Sequence, residues 1–445
     1  MTKQVLFLEF NEINFESVAF YCARGRLPNL QQLIDSTGGW LTTTSEQQHE
    51  HLEPWIQWVT AHTGLSLAQH GVFRLGDIVA HDIPQIWERL ESLGLKVGAI
   101  SPMNAKHRLS SPAFFVPDSW TSTEISAPRG LKRLCSAISQ AVNDNAQSRL
   151  TASSAYALVC GILRYALPYN YAAYAALALG SHRRPWRKAM FLDLLLSDIF
   201  VRQVQQTAPQ FASLFLNAGA HIQHHYMFCS ESYQGPHRNP EWYVPSGLDP
   251  VREVYELYDR VLGQVRRAFP RARVMLATAL HQEPHAEVTY YWRLKAHGEF
   301  LKSINVPFSR IEPRMSRDFV VHCVDYETAR IAAERLRQAS ALDGTNLFDV
   351  DNRGCDLFVM LTYPREISPE FRFRIGIEEY AHLAKNVAFV ALKNGEHNGV
   401  GYFLDTGTSR DSVRSQGAFP LKEVPARIFE AFGLPTTSST TQNET

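Results

Sequence analysis

The stretch VLFLEF, residues 5–10, is a short apolar run interrupted only by Glu9. Such a run reads as a strand buried on both faces, as in the parallel sheet of an α/β protein. The chain beyond it keeps that pattern. Helices fit FESVAFYCARGR and LPNLQQLIDS, and GWLTTTS is strand-like by its threonines. Pro54 suits the first turn of a helix running WIQWVTAHT, which Gly64 stops. IPQIWERLESLG followed by LKVGAIS (95–101) is another helix and strand. Later strands are read at FASLFLNAG, ARVMLATAL, DFVVHCV, DLFVMLTY and AFVALKNG, with PVREVYELYDRVLGQVRRAF and YETARIAAERLRQAS as helices among them. The alternation predicts an α/β fold: a largely parallel central sheet covered by helices on both faces.

The composition fits a folded chain. Of 445 residues, 45% are apolar and 20% charged, and 44 basic side chains balance 44 acidic ones. No global field therefore argues for a nucleic acid polymer or a membrane, and any anion site must be local. The start, MTKQVLFLEFNE, has too short an apolar run for a secretory segment, so a cytoplasmic location is expected. Cys22, Cys135, Cys160, Cys229, Cys323 and Cys355 are scattered without CxxC spacing, as suits reduced thiols.

Residues 126–189 stand apart. They hold Arg129, Lys132, Arg133, Arg149, Arg164, Arg183, Arg184, Arg187 and Lys188 against the single acid Asp144. This reads as a helical insertion with a basic face, either a solvated surface or a lid over an anionic substrate. Within it, Arg164, Pro168, Asn170 and five tyrosines interrupt YALVCGILRYALPYNYAAYAALALG, so a buried or surface-lying helical pair is expected rather than a span. The α/β core then covers 1–125 and 190–435, with a smaller α/β excursion over 286–350 and a disordered tail over 436–445.

Functional residues in such sheets gather at the carboxyl edge. EFNEIN, HIQHH, LHQEPH and GEHNG all follow expected strands there. On a helical turn His221 and His225 share a face, a bidentate arrangement for a divalent ion, while His224 points elsewhere. His281 and His397 stand at two other strand ends, and three imidazoles with an open position suit a hydrolytic metal site. His49, His51 and Glu53 would share one side of an extended loop and reach a metal or substrate, although Glu53 before Pro54 also reads as a plain helix start. Glu12 is a candidate general base, and Glu283 and His285 read as a solvated loop.

The order of these pieces resembles the alkaline phosphatase superfamily, in its type I phosphodiesterase or nucleotide pyrophosphatase-like branch. VLFLEFNEINFES, GRLPNLQQLIDSTGGWL, EPWIQWVTAHTG and SLAQHGVF follow in the family's order, and HIQHH, LHQEP and GEHNGVGYF come later. GRLPNL with HTGLSLAQHG is the more specific part, and the resemblance covers almost all of the chain outside the basic insertion and the region around 285–350. It implies a bimetallic hydrolase site, from which this chain departs. The family's first aspartate falls on Asn11, and its Asp-His pair on Leu280-His281. The Asp-x-x-x-His pair falls on His221 and His225, the preferred register, or on Asn217 and His221. The nucleophile position falls near Glu53-Pro54, with no hydroxyl in register.

The resemblance and its departures together predict one divalent ion, zinc first with manganese or iron as alternatives, on His221, His225 and His397. His281 would polarise the substrate oxyanion, Glu53 or Glu12 would move protons, and Asn11, His49 and His51 would touch substrate. The expected function is hydrolysis or group transfer on a phosphate or sulfate ester of a small molecule, glycan or nucleotide. The alternative is an inactive relative that binds a ligand or partner.

Overall fold

Six strands, β1 (Val5–Phe10), β2 (Leu41–Thr44), β3 (Val97–Ile100), β4 (Phe114–Val116), β5 (Phe211–Leu216) and β6 (Arg273–Ala277), join Val400–Asp405 and Phe419–Pro420 in one sheet. These come from a computed structural model describing residues 3–46, 48, 51–143, 152–314, 317–381, 383–408, 413 and 417–435. Across the sheet the order is Phe419–Pro420, β2, Val400–Asp405, β6, β1, β5, β3, β4. Pairing is parallel except around Val400–Asp405, which runs antiparallel to β2 and β6. The fold is α/β, as the alternation predicts.

β1 shows why both faces are covered. Its side chains alternate, so Leu6, Leu8 and Phe10 enter one core while Val5 and Phe7 enter the other. The first core is closed by helices that include Arg187–Thr207 and Pro250–Ala268, the second by helices that include Pro54–Thr63 and Val424–Phe432. Glu9 faces the second core, where its Oε2 lies 3.0 Å from His62 Nε2 and both side chains are fully buried. Glu9 Oε1 and His62 Nδ1 have no hydrogen-bond partner. Removing either residue would strand the other's polar group in apolar surroundings, so the pair ties the sheet to helix Pro54–Thr63. Pro54 opens that helix, and Gly64, at φ 77, closes it in the left-handed conformation that favours glycine.

The sequence pattern did not show β7 (His281–Leu294), which pairs antiparallel with Val387–Asn398 in a two-stranded ribbon. Glu, His and Pro disfavour a strand; Pro284 is accommodated beside a break in register between Lys393 and Gly395. The ribbon carries the excursion, which has its own core of residues such as Phe300, Phe319, Leu336, Leu357 and Phe373. Expected over 286–350, it extends further, to Leu383 and Val387.

The segment expected as an insertion contains helices Arg129–Asn143, Ala152–Tyr165 and Tyr171–Gly180, whose Leu131, Leu134, Tyr174 and Leu177 join the first core. Arg184 and Arg187 close on Glu253, at 2.7 and 2.9 Å, so these two cations brace this segment against helix Pro250–Ala268. The expected tail, 436–445, lies outside the described residues. Among the described residues no helix is long and apolar enough to cross a membrane.

Candidate metal centre

Immediately beyond β1, Glu12 adopts φ 60, a left-handed backbone conformation that costs a non-glycine residue about 1 kcal/mol. Its surroundings hold it there. Gln223 Nε2 donates to its carbonyl at 2.8 Å, and its own N–H donates to the Thr278 carbonyl at 3.2 Å. The buried carboxylate is fixed as well: Asn11 Nδ2 donates to Oε1 at 2.9 Å and Gln282 Nε2 donates to Oε2.

Two imidazoles face that carboxylate. His224, on helix Ala218–Tyr226, places Nε2 3.2 Å from Glu12 Oε2. His397, on strand Val387–Asn398, does the same at 3.2 Å, and the two Nε2 atoms are also 3.2 Å apart. Glu12, His224 and His397 are the group of three ligand-type side chains that converges closely enough to hold an ion among the described residues. Two ligands about 2.0–2.1 Å from one ion at a tetrahedral angle are roughly 3.3 Å apart, so the triangle fits a small divalent ion. Two imidazoles and a carboxylate serve zinc hydrolases and also suit iron.

The charges agree with that fit. Burial works to raise the Glu12 pKa, but His397 and His224 outweigh it and hold the carboxyl well below its usual range. Burial works against protonated His397, yet Glu12, then Glu53, raise its pKa. His397 presents Nε2 to Glu12 and Nδ1 to Glu53 Oε2, 3.9 Å away. Glu53 precedes Pro54 at the helix start, but its side chain makes no capping hydrogen bond. Its contact with His397 is electrostatic, at a separation longer than a hydrogen bond.

Cations lie nearby. Lys393, on the same strand as His397, is half-buried; burial, and more weakly Arg317, lower its pKa, while Glu396 and Glu53 work against that shift. The Arg317 guanidinium stacks 4.0 Å over Tyr291, whose ring is 6.4 Å from His225.

The expected ligand set is not assembled. His397 meets Glu12 and His224, not His221 and His225. His225 Nδ1 lies 3.0 Å from the Leu392 carbonyl, which only accepts, so Nδ1 carries the proton. His221 is exposed, its ring 5.1 Å from that of His225. Asn217 stands directly beyond β5 and accepts from Asn11 Nδ2 at 2.8 Å.

Other expected contacts also differ. Asn11 was expected at substrate; it is fully buried, its amide donating to Glu12 and Asn217 and its oxygen accepting from Trp58 Nε1 at 2.7 Å. His281 was expected to polarise an oxyanion. Its Nδ1 donates to the Val400 carbonyl and burial disfavours a second proton, so Nε2 offers a lone pair, not the donor an oxyanion needs. It also pairs with Asn398, whereas Gln282 pairs with His397, and neighbouring residues on a strand face opposite sides. His51 packs its ring 6.1 Å from Phe73, and His49 lies outside the described residues.

His224, Gln223 and Gln282 are what sequence reasoning missed. His224 sits three residues after His221, a spacing that shares a helix face as readily as four.

No protein-family model matches the chain, and no curated protein matches it. Among solved structures it is similar to phosphonoacetate hydrolase from Sinorhizobium meliloti 1021 in complex with phosphonoacetate, at 12% identity, covering 97% of this chain and 95% of that one, with a TM-score of 0.43. It is similar to human ectonucleotide pyrophosphatase/phosphodiesterase 5 at 9% identity, 98% and 96% coverage and a TM-score of 0.46. Alkaline phosphatase from the Antarctic bacterium TAB5 matches at 10% identity, 98% and 99% coverage and a TM-score of 0.41. All three are alkaline phosphatase superfamily proteins.

Proposed function

We propose that this protein is a metal-dependent hydrolase or group transferase acting on a phosphate or sulfate ester, with one divalent ion on Glu12, His224 and His397. Zinc is the first choice, with manganese or iron as alternatives. The observation that carries the reading is the 3.2 Å triangle of ligand atoms just beyond β1, at the carboxyl edge where α/β sheets build their sites. The motifs GRLPNL and HTGLSLAQHG support placing the chain in the alkaline phosphatase superfamily.

When bound, such an ion supplies Lewis-acid and water-activating chemistry. The chain's own residues supply the rest. Lys393 and Arg317 would bring positive charge towards an anionic ester, and Glu53, 3.9 Å from His397, would orient that imidazole or accept a proton. Glu53-Pro54 offers no hydroxyl at the start of its helix, which favours direct attack by water over a covalent enzyme intermediate. The substrate class is a small-molecule, glycan or nucleotide anion. The free cysteines support a cytoplasmic setting.

A second reading, a ligand-binding protein without catalysis, draws on the same missing hydroxyl and on the neutral amides of Asn11 and Asn217. Aryl phosphodiesters, phosphomonoesters and sulfate esters, each assayed with zinc, manganese or iron, separate the two. The enzyme reading expects turnover of one class that is lost in Glu12→Gln. Metal-loaded protein that turns over none of them supports the binding reading.

A further inference from the structure

We propose that the outer face of helices Ala152–Tyr165 and Tyr171–Gly180 docks on an anionic lipid surface. A helix on the surface of a soluble protein presents polar side chains to water. Among the described side chains, these two present mainly apolar ones. On the first, Tyr156, Val159, Cys160, Leu163 and Arg164 are exposed, and their spacing places them on one face. On the second, the exposed positions are Tyr171, Ala172, Ala175, Ala176, Ala178 and Leu179, with no charged residue among them. Exposure reaches 73% at Tyr156, 70% at Leu163 and 85% at Leu179. Contiguous apolar faces of this kind mark interaction sites.

The charge around the face decides the partner. Arg164 lies in the last turn of the first helix, and exposed His182 and Arg183 follow the second. Tyr169, between the helices, is 58% exposed; Asp198 acts on it ahead of Arg267 and Arg202, and Arg202 is itself held by the Tyr165 and Ala166 carbonyls, so Arg164 and Arg183 are the cations the face relies on. Across 126–189 the single acid is Asp144. An apolar face fringed by cations, with tyrosines at its margin, complements acyl chains beneath anionic headgroups. A second copy paired by a two-fold axis would instead bring the same cations together. Neither helix is long enough to span, so the pair lies in the interface plane.

Sedimentation with vesicles tests this on the full chain. The protein is expected to pellet with phosphatidylcholine vesicles containing about 30% phosphatidylserine, and about tenfold less with phosphatidylcholine alone or in high salt. Leu163→Glu with Leu179→Glu changes exposed positions only, and should cut pelleting about tenfold without moving the melting temperature. Arg164→Glu with Arg183→Glu should do the same while leaving the apolar face intact. Failure to pellet with anionic vesicles, or pelleting equal in wild type and both variants, overturns the proposal. So does a dimer in sedimentation velocity that Leu163→Glu with Leu179→Glu abolishes, which would assign the face to a second copy.

Discussion

Glu12 Oε2 and His397 Nε2 lie 3.2 Å apart although one residue follows the first strand and the other lies on a ribbon near the end of the chain. The backbone that makes this meeting possible is strained, because Glu12 sits at φ 60. Strain of that kind persists where a site needs it.

Substitution at Glu12 separates the strain from the charge. Glu12→Gly and Glu12→Ala both remove the carboxylate, but only glycine accepts φ 60 freely. Glu12→Gly should therefore be more stable than Glu12→Ala by about 1 kcal/mol in denaturant unfolding of metal-free protein, while neither retains metal. Equal stability of the two would count against strain at this position.

Glu53 is the N-cap residue of its helix, yet its carboxylate makes no capping bond and lies 3.9 Å from His397 Nδ1, so the proposed site uses it to orient that imidazole. Glu53→Gln should leave the melting temperature nearly unchanged and weaken metal binding by about 10–100-fold in a chelator competition. A melting temperature that falls while metal affinity stays constant would return Glu53 to the role of a helix start.

The specific motif HTGLSLAQHG has a structural task that predicts a pH response. His70 Nδ1 accepts from the Val72 N–H at 3.0 Å, and Nε2 lies 3.2 Å from Thr60 Oγ1. Burial, then His81, lowers its pKa to about 4. As pH falls the unfolded chain therefore takes up the proton first. The His70 contribution is full above about pH 6.5 and is lost as pH falls through the folded value, up to about 3 kcal/mol in all. Asp193 and Asp198, pushed up to about 6 by burial, act in the opposite sense: their stabilising contribution is lost as pH rises through that value. The difference between wild type and His70→Asn isolates the histidine. The variant, which keeps an acceptor for Val72, should unfold more easily at pH 7 by about 1 kcal/mol and lose less stability between pH 6.5 and 4. Parallel curves for the two proteins would contradict this assignment.

Much of the fold was legible because burial on both faces leaves continuous apolar runs. VLFLEF, FASLFLNAG and ARVMLATAL all read as strands, and they are the adjacent β1, β5 and β6. β7 was not legible, since His281, Glu283 and Pro284 carry no strand signal and the ribbon is held by pairing with residues a hundred positions later. The site was half legible. HIQHH was placed on a helix at a strand end, and His397 at the site, but the helix's rotation depends on tertiary contacts. Gln223, buried against Tyr255 at 2.7 Å and the Glu12 carbonyl at 2.8 Å, fixes that rotation and turns His224 inward. No spacing rule within HIQHH reveals it. Ribbon parity is similarly hidden: Gln282 shares a face with His397, so His281 turns away.

Metal analysis of protein purified without a histidine tag tests the central claim most directly. About one equivalent of zinc, manganese or iron is expected, consistent with a single three-ligand site. It should be lost in Glu12→Gln, His224→Ala and His397→Ala and kept in His221→Ala. Metal that survives His224→Ala, or that leaves only when His221 and His225 are replaced, would contradict the account.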